Sequence, residues 1–270
     1  MIIISTSRGL FTLEGNFFFY EDEGVSFGLA KSEGTLYAAF RSPNETTTTI
    51  CGFDKNLNNI SKFTIEGCED VHGIEILDQS LYAVSTRTNQ IFETTLDGKI
   101  VKVHKNAVEC SYHSPHINTI KKNKDKLLLL SHRDDSNEGS CLYSFNPAKE
   151  ESSCVCRSLG DHSHSILKYE EDIWICDSLG GVIFKLKGDI EDKTQEIRKF
   201  NVFKTDGNYL LRGLEFDDNY IYVGASEKAS NAERHKGCDG YVLKIDKNDK
   251  HNIKTKLIKN CGQINEILRY

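Results

Sequence analysis

The chain has 270 residues, of which 38% are hydrophobic and only 3 are prolines, so it can bury a large core and no segment reads as disordered. Its 34 basic and 40 acidic residues leave a net charge of −6 spread through the turns; without a basic stripe to track a phosphate backbone, nucleic acid is excluded as an expected partner. No apolar run approaches a transmembrane helix and the start MIIIS is too short for a signal-peptide core, so no membrane partner is expected and the protein reads as cytoplasmic.

From the N-terminus, IIIS, GLFTLEG and NFFFYED read as three short strands. A phrase then begins that recurs along the chain as FGLAKSEGTLYAAF, HGIEILDQSLYAVS, NTIKKNKDKLLLLS, HSILKYEEDIWICD, RGLEFDDNYIYVGA and a truncated NEILRY. The residues that open it, here called anchors, are Phe27, His72, Asn118, His164, Arg212 and Asn265, spaced 45, 46, 46, 48 and 53 apart. In the complete copies a second strand starts nine residues after the anchor, at Leu36, Leu81, Leu127, Ile173 and Ile221. Runs such as QIFETTL and KIVKVHK supply two further strands per repeat, joined by Asp, Asn and Gly turns.

Four short strands in about 45 to 50 residues make one blade of a β-propeller, a four-stranded antiparallel sheet set radially about an axis. The spacing therefore predicts an all-β, six-bladed propeller in a single domain over residues 1–270. Its last blade is completed by one C-terminal and three N-terminal strands, which removes the open sheet edges that invite aggregation. The nine cysteines fall mostly within strand patterns, among them Cys51, Cys141, Cys154, Cys156 and Cys176, and read as reduced thiols used as small core residues. The C-x-C pair Cys154 and Cys156 is too small a set to indicate a metal.

Two residues before the anchors stand Val25, Asp70, His116, His162, Leu210 and Gln263. On a regular strand, positions two apart share a face, so both sets are expected to turn toward the central channel. Four of the nine histidines fall on these positions. Imidazoles from neighbouring inner strands suit a divalent transition metal, with zinc expected first and iron, nickel or manganese as alternatives. The candidate ligands are His72, His116 and His164, joined by Asp70, with His162 and Asn118 as alternates or supports. The competing reading is a water-filled channel whose polar groups satisfy one another.

Arg212 offers a rigid fork of donors for a carboxylate or phosphate, or else pairs with Glu215 or Asp70. Glu75 and Glu215 lie three after their anchors, so they are expected to face the other way and to be packing or turn-facing residues rather than catalytic ones. Asn118, Gln263 and Asn265 are candidate substrate contacts. So are His132 and Arg133 on the long loop 131–140, and Arg234 and His235 on 226–239, since long polar loops over a channel mouth carry specificity. There is no G-x-S-x-G elbow, phosphate-binding glycine loop, H-E-x-x-H or tandem C-x-x-C pair.

Over roughly residues 70 to 227, Asp70, His72, His116, Asn118, His164, Trp174, Arg212 and Gly213 fall on D-x-H-x-I, H-x-N, H-S and R-G-L strand motifs. In these the chain resembles an uncharacterised bacterial propeller family, and more distantly it is similar to NHL-like, gluconolactonase-like and amidating-lyase-like six-bladed propellers. Several of those hold a metal in the channel; the carboxylate and asparagine ligands of the gluconolactonase-like group favour calcium, whereas the histidines here point to a softer metal.

The expectation is a metal-dependent enzyme of lyase or hydrolase type acting on a small, anionic molecule at the channel mouth. Arg212 would orient the substrate, and whichever of His162 or Asp70 is not a ligand would move the proton. Two alternatives stand beside it: a non-catalytic propeller that binds a protein partner through its rim loops, and a small-molecule sensor that uses the channel without chemistry.

Overall fold

The computed structural model describes residues 1–19, 24–105, 107–108, 115–132, 139–187, 196–202, 209–229, 238–249 and 251–270. Among them every regular element is a strand, and the strands form six sheets of four. The innermost strands are Val25–Ser32, Val71–Leu77, Ile117–Asn123, His164–Tyr169, Tyr209–Phe216 and Ile264–Arg269, which define blades one to six. Each touches the next in that order and the sixth returns to the first, closing a six-bladed β-propeller.

Blade six runs outward as Ile264–Arg269, Ile2–Thr6, Gly9–Thr12 and Phe17–Phe19, the arrangement expected from the truncated last phrase. The two ends of the chain meet there, with Met1 donating to Tyr270 O at 2.7 Å and Tyr270 N donating to Met1 O at 2.8 Å. No helix among the described residues is long and apolar enough to cross a membrane.

Second strands such as LYAAF and LYAVS are buried on both faces because a blade is covered on each side by its neighbours. Outer strands such as Glu196–Asn201 are largely exposed and carry charged side chains, here Glu196, Arg198 and Lys199. The core thus lies between blades: Leu167 and Trp174 of blade four pack with Leu214 and Phe216 of blade five. Each such side chain contributes about 1.5–3 kcal/mol on burial. Cys51, Cys68, Cys141, Cys176 and Cys261 are buried within this packing.

Every inner strand breaks register at or next to its anchor, between Ser26 and Leu29, Val71 and Gly73, Ile117 and Thr119, His164 and Ile166, Arg212 and Leu214, and Ile264 and Glu266. A β-bulge re-aims side chains and ends strict alternation. This corrects the expectation that anchors and the residues two before them share a face by strand periodicity. Asp70, His116 and His162 precede their strands and reach the centre through left-handed backbone, with φ of 52°, 55° and 54°. Such conformations cost about 1–3 kcal/mol in a non-glycine residue and collect at functional sites.

Just past the anchors the inner strands come close together. A Cβ on Gly213, whose φ is +79°, would lie 2.9 Å from Ile267 N. Ser165 N donates to Thr119 Oγ1 at 3.2 Å, and Gly213 N to Ser165 Oγ at 2.8 Å, so blades three, four and five are stitched side by side. A cavity of about 930 Å³ lies on the anchor side of this level. Another of about 650 Å³ lies on the side of Glu75, Lys121 and Glu215.

Candidate functional site

The larger cavity gathers the histidines. His72, His116, His132, His162 and His164 border it together with Asp70 and Arg212. The His132 ring centre is 4.6 Å from His116, 4.9 Å from His162 and 4.6 Å from His164, while His72 lies 5.6 Å from His116 and 6.3 Å from His164.

His72 stacks on Phe27, with ring centres 4.7 Å apart and planes within 6°. Its Nε2 is 3.2 Å from Asp70 Oδ1. An ionised carboxylate only accepts, so Nε2 carries the proton and Nδ1 carries the lone pair. That Nδ1 is buried and has no hydrogen-bond partner. Burial disfavours charge on Asp70, but the His72 hydrogen bond and the Arg41 guanidinium outweigh it and hold the carboxyl well below the usual carboxylate range.

His164 has the complementary arrangement. Its Nδ1 is 2.7 Å from His162 O and 2.8 Å from Ser178 Oγ, and Ser178 Oγ in turn donates to Leu211 O at 2.7 Å. A carbonyl oxygen accepts, so His164 Nδ1 is protonated and Nε2, again buried and unpartnered, holds the lone pair. Burial pushes His72, His132 and His164 below the ordinary histidine range, and the Arg212 cation adds to the effect on all three. At neutral pH these are neutral imidazoles.

Neutral amides orient Arg212. The Gln263 oxygen accepts from Nε at 3.0 Å and Nη1 at 2.8 Å, and Asn265 Oδ1 accepts from Nη1 at 3.4 Å. Gln263 and Asn265, expected as substrate contacts, therefore border the cavity and also carry the arginine. His162 sits at the exposed rim, where its Nδ1 is bonded to the Asp161 carboxylate.

Asn118 is placed differently from the sequence expectation. It is fully buried and does not border the cavity; its Nδ2 donates to Ser163 O at 2.9 Å and lies 2.6 Å from His132 Nε2. His132, expected on a rim loop, is itself buried within the histidine cluster. Arg133, Arg234 and His235 lie outside the described residues.

Sequence reasoning missed Arg41, which pairs with Asp70 and Glu45 and places its guanidinium carbon 4.6 Å from the Phe27 ring centre. A signal was present. Arg41, Thr86, His132, Ser178 and Ser226 each stand fourteen residues after an anchor. Thr86 and Ser178 use their hydroxyls to bond the next blade at Ile117 O and Leu211 O, and Ser226 Oγ accepts from Ile264 N. Arg41 and His132 depart from this hydroxyl pattern and face the cavity.

Two buried imidazole lone pairs on rings 6.3 Å apart fit a transition metal by donor chemistry. Among the described residues, no group of three or more His, Cys, Asp or Glu side chains is already arranged to hold one.

No protein-family model matches the chain, so the motif family it resembles is not shown. No curated protein matches it either. Solved structures do match in fold. A Bacteroides caccae protein of unknown function aligns with a TM-score of 0.69 at 12% identity over 98% of this chain and 97% of that one. A chain from a nidogen/laminin complex aligns at 0.69 and 11% over 98% and 96%. The periplasmic gluconolactonase of Pseudomonas aeruginosa aligns at 0.61 and 11% over 99% and 98%. At these identities the likeness is one of architecture: the chain is a six-bladed β-propeller, distantly similar to propellers of unknown function and to a gluconolactonase.

Proposed function

We propose that the larger cavity is the site of a metal-dependent hydrolase or lyase acting on a small anionic molecule. The observation that carries the reading is the pair of buried, unpartnered nitrogens His72 Nδ1 and His164 Nε2, each made a lone-pair donor by a protein acceptor on the other ring nitrogen. A carboxylate or backbone carbonyl behind a histidine is the usual support of a metal ligand. His72 and His164 would hold the ion, with His116 beside them; a bound divalent ion, zinc first among the candidates, supplies Lewis acidity and lowers the pKa of its water.

This chain's own groups do the rest. Arg212, held in place by Gln263 and Asn265, binds and orients the substrate anion. Asp70 keeps its proton-free carboxylate on His72 and Arg41 and so acts as an orienting group. That leaves His162, exposed at the rim, to move a proton to or from solvent. The likeness to a propeller named as a gluconolactonase supports hydrolysis only as an analogy of fold.

Elemental analysis of protein purified without chelator or affinity-tag metal tests the reading. Near-stoichiometric metal in the wild type and its loss in the His72→Ala, His164→Ala double variant is expected. If no metal is retained after incubation with zinc, iron, nickel and manganese, the reading fails. The second reading, a non-catalytic partner-binding propeller, draws on the likeness to a chain found in a nidogen/laminin complex. In that case rim-loop substitutions would abolish binding of a partner and cavity substitutions would not.

A further inference from the structure

The histidines of the cavity are not equivalent. His72 and His164 each spend their N–H on a protein acceptor and keep a lone pair in the cluster. His132 has the opposite wiring. Asn118 Nδ2 faces Ser163 O at 2.9 Å, a position only a donor can occupy, which fixes the orientation of the amide. The same nitrogen is 2.6 Å from His132 Nε2, so that ring nitrogen must accept. In a neutral imidazole the proton then resides on Nδ1, which is buried and has no hydrogen-bond partner. An unmade buried donor costs about 1–3 kcal/mol, at a position where blades two, four and five use a small hydroxyl.

We infer that His132 is the neutral hydrogen-bond donor of the cavity, offering Nδ1–H to an oxyanion of the ligand alongside the Arg212 guanidinium, and that Asn118 is the positioning residue that sets its tautomer. The ligand class is a small carboxylate or similar oxyanion. A neutral donor that is already oriented stabilises such an oxygen without a charge to desolvate, and its strength grows where water is excluded. Because Nε2 accepts from Asn118, the ring holds only the Nδ1 proton and is neutral. Of the imidazoles bordering the cavity, the two lone pairs suit a cation and this N–H suits the anion beside it. This rests on the reading of the cavity as a ligand site but not on any metal being present.

The test is nitrogen-15 NMR of histidine-labelled, metal-free, full-length protein at neutral pH, with oxalate and inorganic phosphate as probes. His132 is expected protonated on Nδ1, as is His164, while His72 is protonated on Nε2. Oxalate is expected to shift the His132 Nδ1 resonance, and phosphate acting in its place would assign the phosphate class of oxyanion. Asn118→Leu removes the donor to Nε2, so the His132 proton is no longer held on Nδ1; the Nδ1-protonated fraction is expected to fall and oxalate binding to weaken about severalfold. His132 protonated on Nε2 in the wild type, or indifferent to both probes, overturns the inference, and this result needs no variant to fold. Metal content measured on the same preparation before stripping separates its failure from failure of the metal reading.

Discussion

Glu266 follows its anchor directly, where blades one, two and five have Gly28, Gly73 and Gly213, and it is the only ionisable residue at that level. Burial raises its carboxyl to about 7 against the pull of Lys121, with Glu215 and Glu75 adding to the rise. A carboxyl held above its ordinary 4.5 binds its proton more tightly when folded, so its contribution to stability is complete below about pH 4.5 and is lost as pH rises through about 7. Glu266→Gln is therefore expected to stabilise the protein at pH 8 by about 1–3 kcal/mol and to do little at pH 4.5. Melting temperatures at the two pH values decide it; an equal shift at both would mean that the carboxylate charge is not the cause. The place of Glu266 after the anchor is legible in the sequence but its environment is not, because Lys121, Glu215 and Glu75 lie 51 and more positions away.

Between elements, two glutamates act as clasps. Glu75 accepts from Ile76 N at 2.8 Å with one oxygen and from Lys122 N of the next blade at 3.1 Å with the other. Glu215 repeats the pattern with Phe216 N at 2.8 Å and Arg269 N at 2.7 Å. This accords with the packing role expected from their position three after the anchors. Glu75→Ala leaves two backbone donors unmet and is expected to cost about 1–3 kcal/mol in urea unfolding, while Glu75→Gln retains one amide acceptor and costs less. Equal losses for the two substitutions would contradict the clasp. Strand identity and order were readable from hydrophobic phrases and turn residues, but the bulges at the anchors were not. The left-handed backbone by which Asp70, His116 and His162 reach the cavity was equally silent in the sequence, because no strand periodicity encodes it.

At the scale of the molecule, the ring is closed by the pairing of Ile264–Arg269 with Ile2–Thr6. Removing residues 264–270 strips the cover from Ile2 and Ile4, which pack with Ile264 and Ile267, and leaves the edge of Ile2–Thr6 unpaired. The shortened chain is expected to lose cooperative thermal unfolding and to aggregate, and a peptide of residues 262–270 added in trans is expected to restore part of the transition. A shortened chain that melts as the full one does would show that closure is dispensable.

The period of the phrases by itself determined the number of blades, the strands in each and the way the last is completed, because a repeat of this length buries its apolar faces only against copies of itself. It also brought His72, His116, His162, His164 and Arg212 to one channel, since equivalent positions of a cyclic repeat converge on the axis. Only the tertiary structure decided what each ring presents there. A histidine's proton follows its partner, and the partners come from elsewhere in the chain: Ser178 behind His164, Asn118 behind His132, and Ser163, 45 residues on, behind Asn118. A one-dimensional pattern shows that imidazoles meet; which nitrogen holds the lone pair is set by contacts that exist only once the ring has closed.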